Sequence, residues 1–513
     1  MWIWDLVEER ANATPQLRCA VDESGRELSF GDLARRGERV AAAFTHLGVG
    51  PGVPVCWQLP TWIESLVTMV ALSRLGAVQV PLLPISRERE LAVAIAQVRP
   101  SVVVTPSEWR GFDFLGMWGR LAETHVAEAP PAFVVCDRAL PEADPAVLPP
   151  RDAVLPRPGE HRWVFFSSGT TGAPKGARHT DDSVAAGPMT FLERIGMSQD
   201  DCYPIIFPFT HVGGIGTLLA QLPTGASAVL DEQFTPDRTI AMMGARGITI
   251  GAGGTPLVQL YLEHQRRRPT DPLFPRLRFC LAGAAPKPPT LHAEARDELG
   301  GHGCMSVYGL TEAPFLTCTT LGDDDAVLAT TEGRATAGAE LRVVALDGRL
   351  CGPGEEGEVR ARGPQVLLGY LDASLDADAF DADGFFRTGD LGTLDRDGNL
   401  AITGRIKEII IRKGENISAL EVEHVLGAHP AVVEVAVIGL PDPATGERCC
   451  AVVVLVPGAT LTLDDVRAFA DRAGLARQKV PEQLEVVDAL PRNAGGKVVK
   501  HDLRAAVVGD GGP

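Results

Sequence analysis

Positive charge is in short supply in this sequence: across 513 residues, 48 lysines and arginines face 66 aspartates and glutamates, a formal charge of −18. That balance opposes non-specific binding to nucleic acid, whose phosphates need a cationic surface. The basic triplet Arg266-Arg267-Arg268 reads as a solvated helix end. Paired cysteine spacing is missing too. The ten cysteines include no C-x-x-C pair, which disfavours a structural zinc site and fits a reducing compartment. Vicinal Cys449-Cys450 lies in an apolar run and fits strand packing. A long uninterrupted apolar run is also lacking. The longest, over 62–80, is broken by Glu64, Arg74 and Gln79, and reads as a buried helix and strand, not a membrane span. The N-terminus has no basic stretch ahead of an apolar one, so no signal peptide is read. The cytoplasm is the expected location.

What is present is alternation. Leu33, Val40, Phe44 and Leu47 share a helical face that Gly48 ends, and VPVCWQL follows with strand-like alternation. Helix-like and strand-like segments then alternate through SVVVT, the pattern of an α/β fold with a largely parallel sheet. Residues 108–161 are proline-rich and weakly periodic, and read as a surface excursion around one strand over 133–136. The alternation resumes at WVFF. After about Glu340 successive strands without long helices suggest a β-rich subdomain. A capping box at Ser418-Ala419-Leu420-Glu421 opens a helix in a compact C-terminal segment. The expected organisation is α/β: a large N-terminal domain (1–403) with mixed or parallel sheets sandwiched by helices plus the β-rich subdomain, a hinge (404–407), and a small mobile α+β domain (408–513).

The stretch FFSSGTTGAPKGARHT, from Phe165 to Thr180, leaves a buried-strand signal as a run of small hydroxyls and glycines with a lysine. Such a backbone can wrap a phosphate with N–H and O–H donors, and Lys175 adds a full charge. The helix expected over 183–194 could add its N-terminal dipole. A flexible Ser/Thr/Gly turn would have the same composition, and composition alone does not separate the two.

Order does. SSGTTGAPKG (167–176), FPFTHVGG (207–214), LAGAAP (281–286), YGLTE (308–312), RTGDLG (387–392), GRIKEIIIRKGENIS (404–418) and PRNAGGK (491–497) follow one another. This set resembles the adenylate-forming (AMP-binding) superfamily of acyl-CoA synthetases, peptide-synthetase adenylation domains and luciferases, over almost the whole chain. The resemblance implies two-step chemistry. A carboxylate attacks the α-phosphate of ATP to give an acyl-adenylate and pyrophosphate, and a thiol, commonly that of coenzyme A, then displaces AMP.

The resemblance also distributes roles. Ser167, Ser168, Gly169, Thr170, Thr171, Gly172 and Lys175 would cradle the phosphates that leave. Glu312 would hold Mg2+, a hard cation that needs a carboxylate beside phosphates, with Thr311 contacting phosphate or the metal's shell. Tyr308 and Gly309, with Gly283, Ala284, Ala285 and Pro286, would flank the adenine. Asp390 would accept from the ribose diol, and Arg405 would contact ribose and phosphate. Lys497 would bridge carboxylate and α-phosphate, and Lys407 would be the hinge of domain rotation. His211, read alone a partly buried structural histidine, would border the acyl pocket, where Gly213, Gly214 and Gly216 leave room. Lys413, Gly414 and Glu415 would line the coenzyme A channel. Here the chain departs from the family's Gly-Gly before Glu-Asn, and a side chain at Lys413 would border or narrow the thiol route.

The expected activity is therefore an ATP- and Mg2+-dependent acid–thiol ligase that uses coenzyme A. No cation stands in the suspected acyl segments, so the acid is expected to be an apolar fatty, alicyclic or aromatic monoacid. VPLLPISRERE (80–90) resembles ligases for alicyclic and medium-chain acids. Small molecules are the expected partners, with no membrane and no nucleic acid, and a homodimer is compatible with this reading. The chain ends soon after PRNAGGK, which weighs against a multidomain peptide synthetase. Loading of a free-standing carrier protein and a catalytically silent nucleotide-binding protein are the alternatives; luciferase-type oxidation is remote.

Overall fold

A computed structural model of the protein describes residues 2–167, 174–285, 287–412, 415–442, 445–492 and 497–509. The chain forms two compact units, Met1–Leu341 with Ala361–Phe386, and Arg342–Arg360 with Arg387–Pro513. This division falls earlier than the expected hinge at 404–407. Strands Glu340–Val344, Gly357–Arg362, Phe386–Leu394 and Leu400–Arg405 join in that order into one sheet, the β-rich segment read from sequence. Most of that sheet belongs to the second unit, with the C-terminal part of the chain.

Among the described residues the first unit is built on three larger sheets and one two-stranded ribbon, Glu108–Trp109 with Phe112–Asp113. The largest runs in the order Gly369–Tyr370, Lys175–His179, Trp163–Ser167, Val78–Pro81, Pro54–Trp57, Val102–Thr105, Ala132–Val135. Its central strands are parallel, and Val55, Cys56, Trp57 and Val102 to Val104 are fully buried. They are buried on both faces because helices cover a parallel sheet from both sides. The alternating pattern read in VPVCWQL therefore does not correspond to one wet face. Helix Ile63–Leu75 is buried almost all round and ends at Gly76, whose φ of +65° suits the left-handed cap.

The loose texture of 108–161 conceals a helix that sequence reasoning missed. Phe114–His125 is capped by Asp113, whose carboxylate accepts from the Gly116 N–H. It buries Phe114, Met117, Trp118, Leu121 and Ala122. That spacing of 3, 4, 7 and 8 is the helical one, but Gly116 and Gly119 weaken the local propensity.

In the second unit, Val432–Asp442 and Gly446–Leu455 form a long antiparallel pair, with Gln483–Val486 parallel to the latter. Helices Ala419–Gly427 and Leu463–Arg472 contribute Val422, Leu426, Val466 and Ala470 to its core. Ser418 caps the first helix by accepting from the Glu421 N–H. The expected capping box is only half formed, because the Glu421 carboxylate instead takes Lys479 Nζ at 2.6 Å. The last element among the described residues is a helix, Lys500–Gly509.

The ten cysteines are all unpaired; nine are buried and Cys351 is intermediate. Burial raises the thiols of the nine buried ones, Cys19 and Cys449 to about 12. Cys449 and Cys450 lie side by side in a strand, as their apolar setting suggests. Among the described residues no helix is long and apolar enough to cross a membrane.

Candidate active site

The phosphate-loop sequence links two antiparallel strands. Ser167 pairs with Lys175 and Trp163 with His179, so the connection leaves and re-enters the sheet at one end. Ser168, Gly169, Thr170, Thr171 and Gly172 lie outside the described residues. The strands on either side place Ser167 and Lys175 together, and Glu312 meets Ser167. Glu312 sits in the turn between Cys304–Leu310 and Ala313–Cys318. Its Oε1 accepts from Ser167 Oγ at 2.9 Å and from Tyr370 Oη at 3.1 Å. Lys175 Nζ stands 5.3 Å from the centre of the Tyr370 ring. Both Trp163–Ser167 and Cys304–Leu310 run parallel to a neighbouring strand. The cluster thus forms beyond carboxyl ends of parallel strands, where α/β sheets place ligands.

Tyr370, absent from the sequence expectations, lies in an apolar run whose pattern signals only burial. Burial first, and then the charge of Glu312, raise its phenol above the usual tyrosine value, so the hydroxyl remains a donor.

The helix dipole expected at the loop is not there. Lys175 opens a five-residue strand, Lys175–His179, and helix Asp181–Arg194 starts only after Thr180, beside His179. Its N-terminus therefore lies at the opposite end of the hairpin, about 13 Å along the strand from Lys175. His179 fastens the Glu312 turn instead: Nε2 donates to the Thr311 carbonyl at 2.9 Å, and Nδ1 faces Ser183 Oγ at 2.9 Å. Burial lowers its pKa to about 4, only partly offset by the Thr311 bond.

The expected adenine wall follows strand Phe279–Ala282. A Cβ on Gly283 would meet the Val307 carbonyl oxygen at 2.6 Å, so only glycine fits there. Ala284 is exposed at a left-handed φ of +60°, and Thr255 Oγ1 donates to the Ala285 carbonyl. Pro286 lies outside the described residues. The wall is staked down by buried Lys287, whose Nζ donates to Ser306 Oγ and to the carbonyls of Leu328 and Thr331. Tyr308 lies opposite Thr317, and the pairing slips at Gly309. There a Cβ would meet the Phe315 N at 2.6 Å.

His211 caps helix Val212–Thr224, its Nδ1 accepting the Gly213 N–H at 3.1 Å. Desolvation lowers its pKa while the residue keeps exposed surface. A neutral ring with Nδ1 occupied leaves Nε2–H as a donor, which suits orienting a carboxylate better than proton transfer. The room left by two of its glycines is already filled. A Cβ on Gly214 would meet the Phe209 backbone at 2.7 Å, and one on Gly216 the Phe315 ring at 2.5 Å. Their smallness serves close packing rather than an acyl chain. Phe315 itself holds a left-handed φ of +50°, a conformation that costs a bulky residue about 1–3 kcal/mol.

The remaining expected residues lie in the second unit. Asp390 and Arg405 are cross-strand partners, with Arg405 Nε 2.9 Å from Asp390 Oδ1. Lys497 keeps exposed surface. Its pKa is lowered by partial desolvation and then by Arg405, against the pull of Asp390 and Glu408. Lys500 places Nζ 2.7 Å from both Glu408 and Glu423. Lys407 is exposed in the single turn Ile406–Glu408. Lys413 and Gly414 lie outside the described residues, and Glu415 opens strand Glu415–Ser418.

This arrangement coincides with a family-wide pattern. The profile of AMP-binding enzymes matches residues 7–371, and that of the AMP-binding enzyme C-terminal domain matches 421–497. The chain is an AMP-binding enzyme. Among curated relatives, this AMP-binding enzyme is 33% identical to a medium-chain fatty-acid–CoA ligase of Escherichia coli, over 98% of this chain and 90% of the relative. It is 35% identical to a salicyl-AMP ligase / salicyl-S-ArCP synthetase of Mycobacterium tuberculosis, over 95% and 87%. Among solved structures, ATP-bound MatB from Rhodopseudomonas palustris superposes with a TM-score of 0.85 at 28% identity, covering 98% of both chains. This AMP-binding enzyme is an acyl-adenylate-forming ligase of the acid–thiol class, and ATP is its cosubstrate. The donor set suits Mg2+: a hard carboxylate, Glu312, beside the Ser167 hydroxyl. Nucleotide-bound Mg2+ commonly takes only one or two carboxylates and fills its remaining positions with phosphate and water.

Proposed function

We propose that this enzyme adenylates an apolar monocarboxylic acid (fatty, alicyclic or aromatic) and passes the acyl group to coenzyme A. The convergence of Ser167, Lys175 and Glu312 at one sheet end carries the first half of this reading. There Lys175 and the loop hydroxyls would hold the β- and γ-phosphates, which depart as pyrophosphate. Mg2+ held by Glu312 would offset triphosphate charge while the acid attacks. Tyr308 and the Gly283–Ala285 segment would flank adenine, and Asp390, steadied by Arg405, would accept from the ribose. His211 would orient the acid through Nε2–H. Lys497 would neutralise charge shared by the carboxylate and α-phosphate.

For the second half, Lys407 would serve as the hinge that exchanges Lys497 for the 413–415 segment and its pantetheine route. A cytoplasmic enzyme with small-molecule partners, alone or as a homodimer, fits this reading. The acid class is supported by the relatives, whose names include a medium-chain fatty acid and a 2-hydroxy-7-methoxy-5-methyl-1-naphthoate. Transfer to a carrier protein is the second reading, favoured by the resemblance to the salicyl-S-ArCP synthetase.

The test is AMP release across an acid panel, with coenzyme A or a phosphopantetheinylated carrier as acceptor. Acid-dependent release with coenzyme A is expected. Release with the carrier alone would replace the acceptor. ATP binding without pyrophosphate exchange for any acid would leave a silent nucleotide-binding protein.

A further inference from the structure

Glu312 and Lys175 are an acid and a base placed at one sheet end, yet they do not pair. Glu312 spends Oε1 on two hydroxyl donors, Ser167 and Tyr370, at 2.9 and 3.1 Å. Among the described residues nothing donates to its Oε2, and no carboxylate pairs with Lys175. The ammonium instead lies against the Tyr370 ring, 5.3 Å from its centre, an attraction between cation and ring face. One buried side chain thus touches both charges.

Tyr370 is well placed to do so. Its strand, Gly369–Tyr370, pairs antiparallel with the strand that carries Lys175, with Tyr370 opposite Ala177. Its backbone N–H is fixed by Asp376 Oδ1 at 2.8 Å, and its ring packs among Ala177, Leu367 and Phe386. The Leu367 N–H donates to the Glu312 carbonyl at 2.8 Å, tying the two segments together.

We propose that Tyr370 is a positioning residue that keeps Glu312 and Lys175 from neutralising each other. Its hydroxyl fixes one carboxylate oxygen and leaves the other for the divalent cation; its ring holds the ammonium for the phosphates. The proposal rests on the reading of Glu312 as the Mg2+ ligand. A hydroxyl that orients a metal-binding carboxylate is the kind of partner whose loss weakens metal affinity about 10- to 100-fold.

The experiment uses the full chain with Tyr370→Phe, Tyr370→Leu and Glu312→Gln. Mn2+ affinity is read by electron paramagnetic resonance in the presence of α,β-methylene ATP, and metal-free ATP affinity by calorimetry in chelator. Tyr370→Phe should weaken Mn2+ at least about tenfold, leave metal-free ATP affinity near wild type, and regain pyrophosphate exchange at raised Mg2+. Tyr370→Leu should weaken both Mn2+ and metal-free ATP. Wild-type Mn2+ affinity in Tyr370→Phe, with Glu312→Gln strongly impaired, would overturn the role of Tyr370 alone. Wild-type Mn2+ affinity in Glu312→Gln would overturn the metal reading beneath it.

Discussion

His179 has to remain neutral, and that makes it a source of acid sensitivity. Its Nε2–H holds the carbonyl of Thr311, the residue before Glu312, from a fully buried position. The folded value of about 4 lies below the ordinary 6.5. Above pH 6.5 the ring is neutral folded or unfolded. As pH falls from 6.5 towards 4, the unfolded chain takes up a proton that the folded one refuses, and stability is lost, by up to about 3 kcal/mol. His179→Gln can donate to the same carbonyl but cannot titrate. Urea unfolding at pH 7 and pH 4.5 should show a smaller loss for His179→Gln than for wild type. At this scale the sequence disclosed the residues whose chemistry is visible in their type and order, Lys175 and Glu312 above all. It hid His179 and Tyr370, whose importance lies in what they touch across 132 and 58 positions.

Elements were legible where periodicity and punctuation agreed. Helix Ile63–Leu75, the strand Trp163–Ser167 ahead of the phosphate loop and the apolar strand that carries Cys449-Cys450 follow the sequence closely. Phe114–His125 did not, since two glycines blurred a clear apolar stripe. The strand Lys175–His179 was missed because KGARH is too short and polar to announce itself. That omission misplaced the helix dipole. The Lys500 cluster is another element-level device, joining the Ile406–Glu408 turn, helix Ala419–Gly427 and helix Lys500–Gly509 through one ammonium. Lys500 is raised because Glu423 and Glu408 outweigh its desolvation, so its contribution is complete below 10.5 and fades only as pH climbs above that value. Lys500→Met would strand two partly buried carboxylates. A cost of about 3–5 kcal/mol is expected, read as a lower first unfolding transition in calorimetry at pH 7.

For the whole molecule, the decisive property is that the expected residues divide between two units. The phosphate-loop strands, Glu312 and His211 belong to one, and Asp390, Arg405 and Lys497 to the other. The order of motifs made the two-part organisation readable, whereas the compact boundary depends on strand pairing between distant segments. If Lys497 serves adenylation alone, Lys497→Ala should reduce acid-dependent pyrophosphate exchange at least about 100-fold, as loss of a charge-stabilising group does. It should leave thioester formation from supplied acyl-adenylate within a few-fold of wild type. Equal loss of both would sink the two-state assignment. Because Lys497 is lowered from the ordinary 10.5, the alkaline fall in exchange should begin below that pH, as the ammonium discharges.

Nine of the ten thiols are shut inside the protein, and only Cys351, whose N–H donates to the Val343 carbonyl of strand Glu340–Val344, has an intermediate exposure. The native protein therefore carries its own attachment point for a reporter, with no need to remove competing cysteines. A maleimide dye should label the folded chain once, at Cys351, and the denatured chain at all ten positions, as a mass spectrum of each would show. A fluorophore so attached rides on the unit that carries Lys497, and a change in its emission during turnover would report a change in that unit's surroundings.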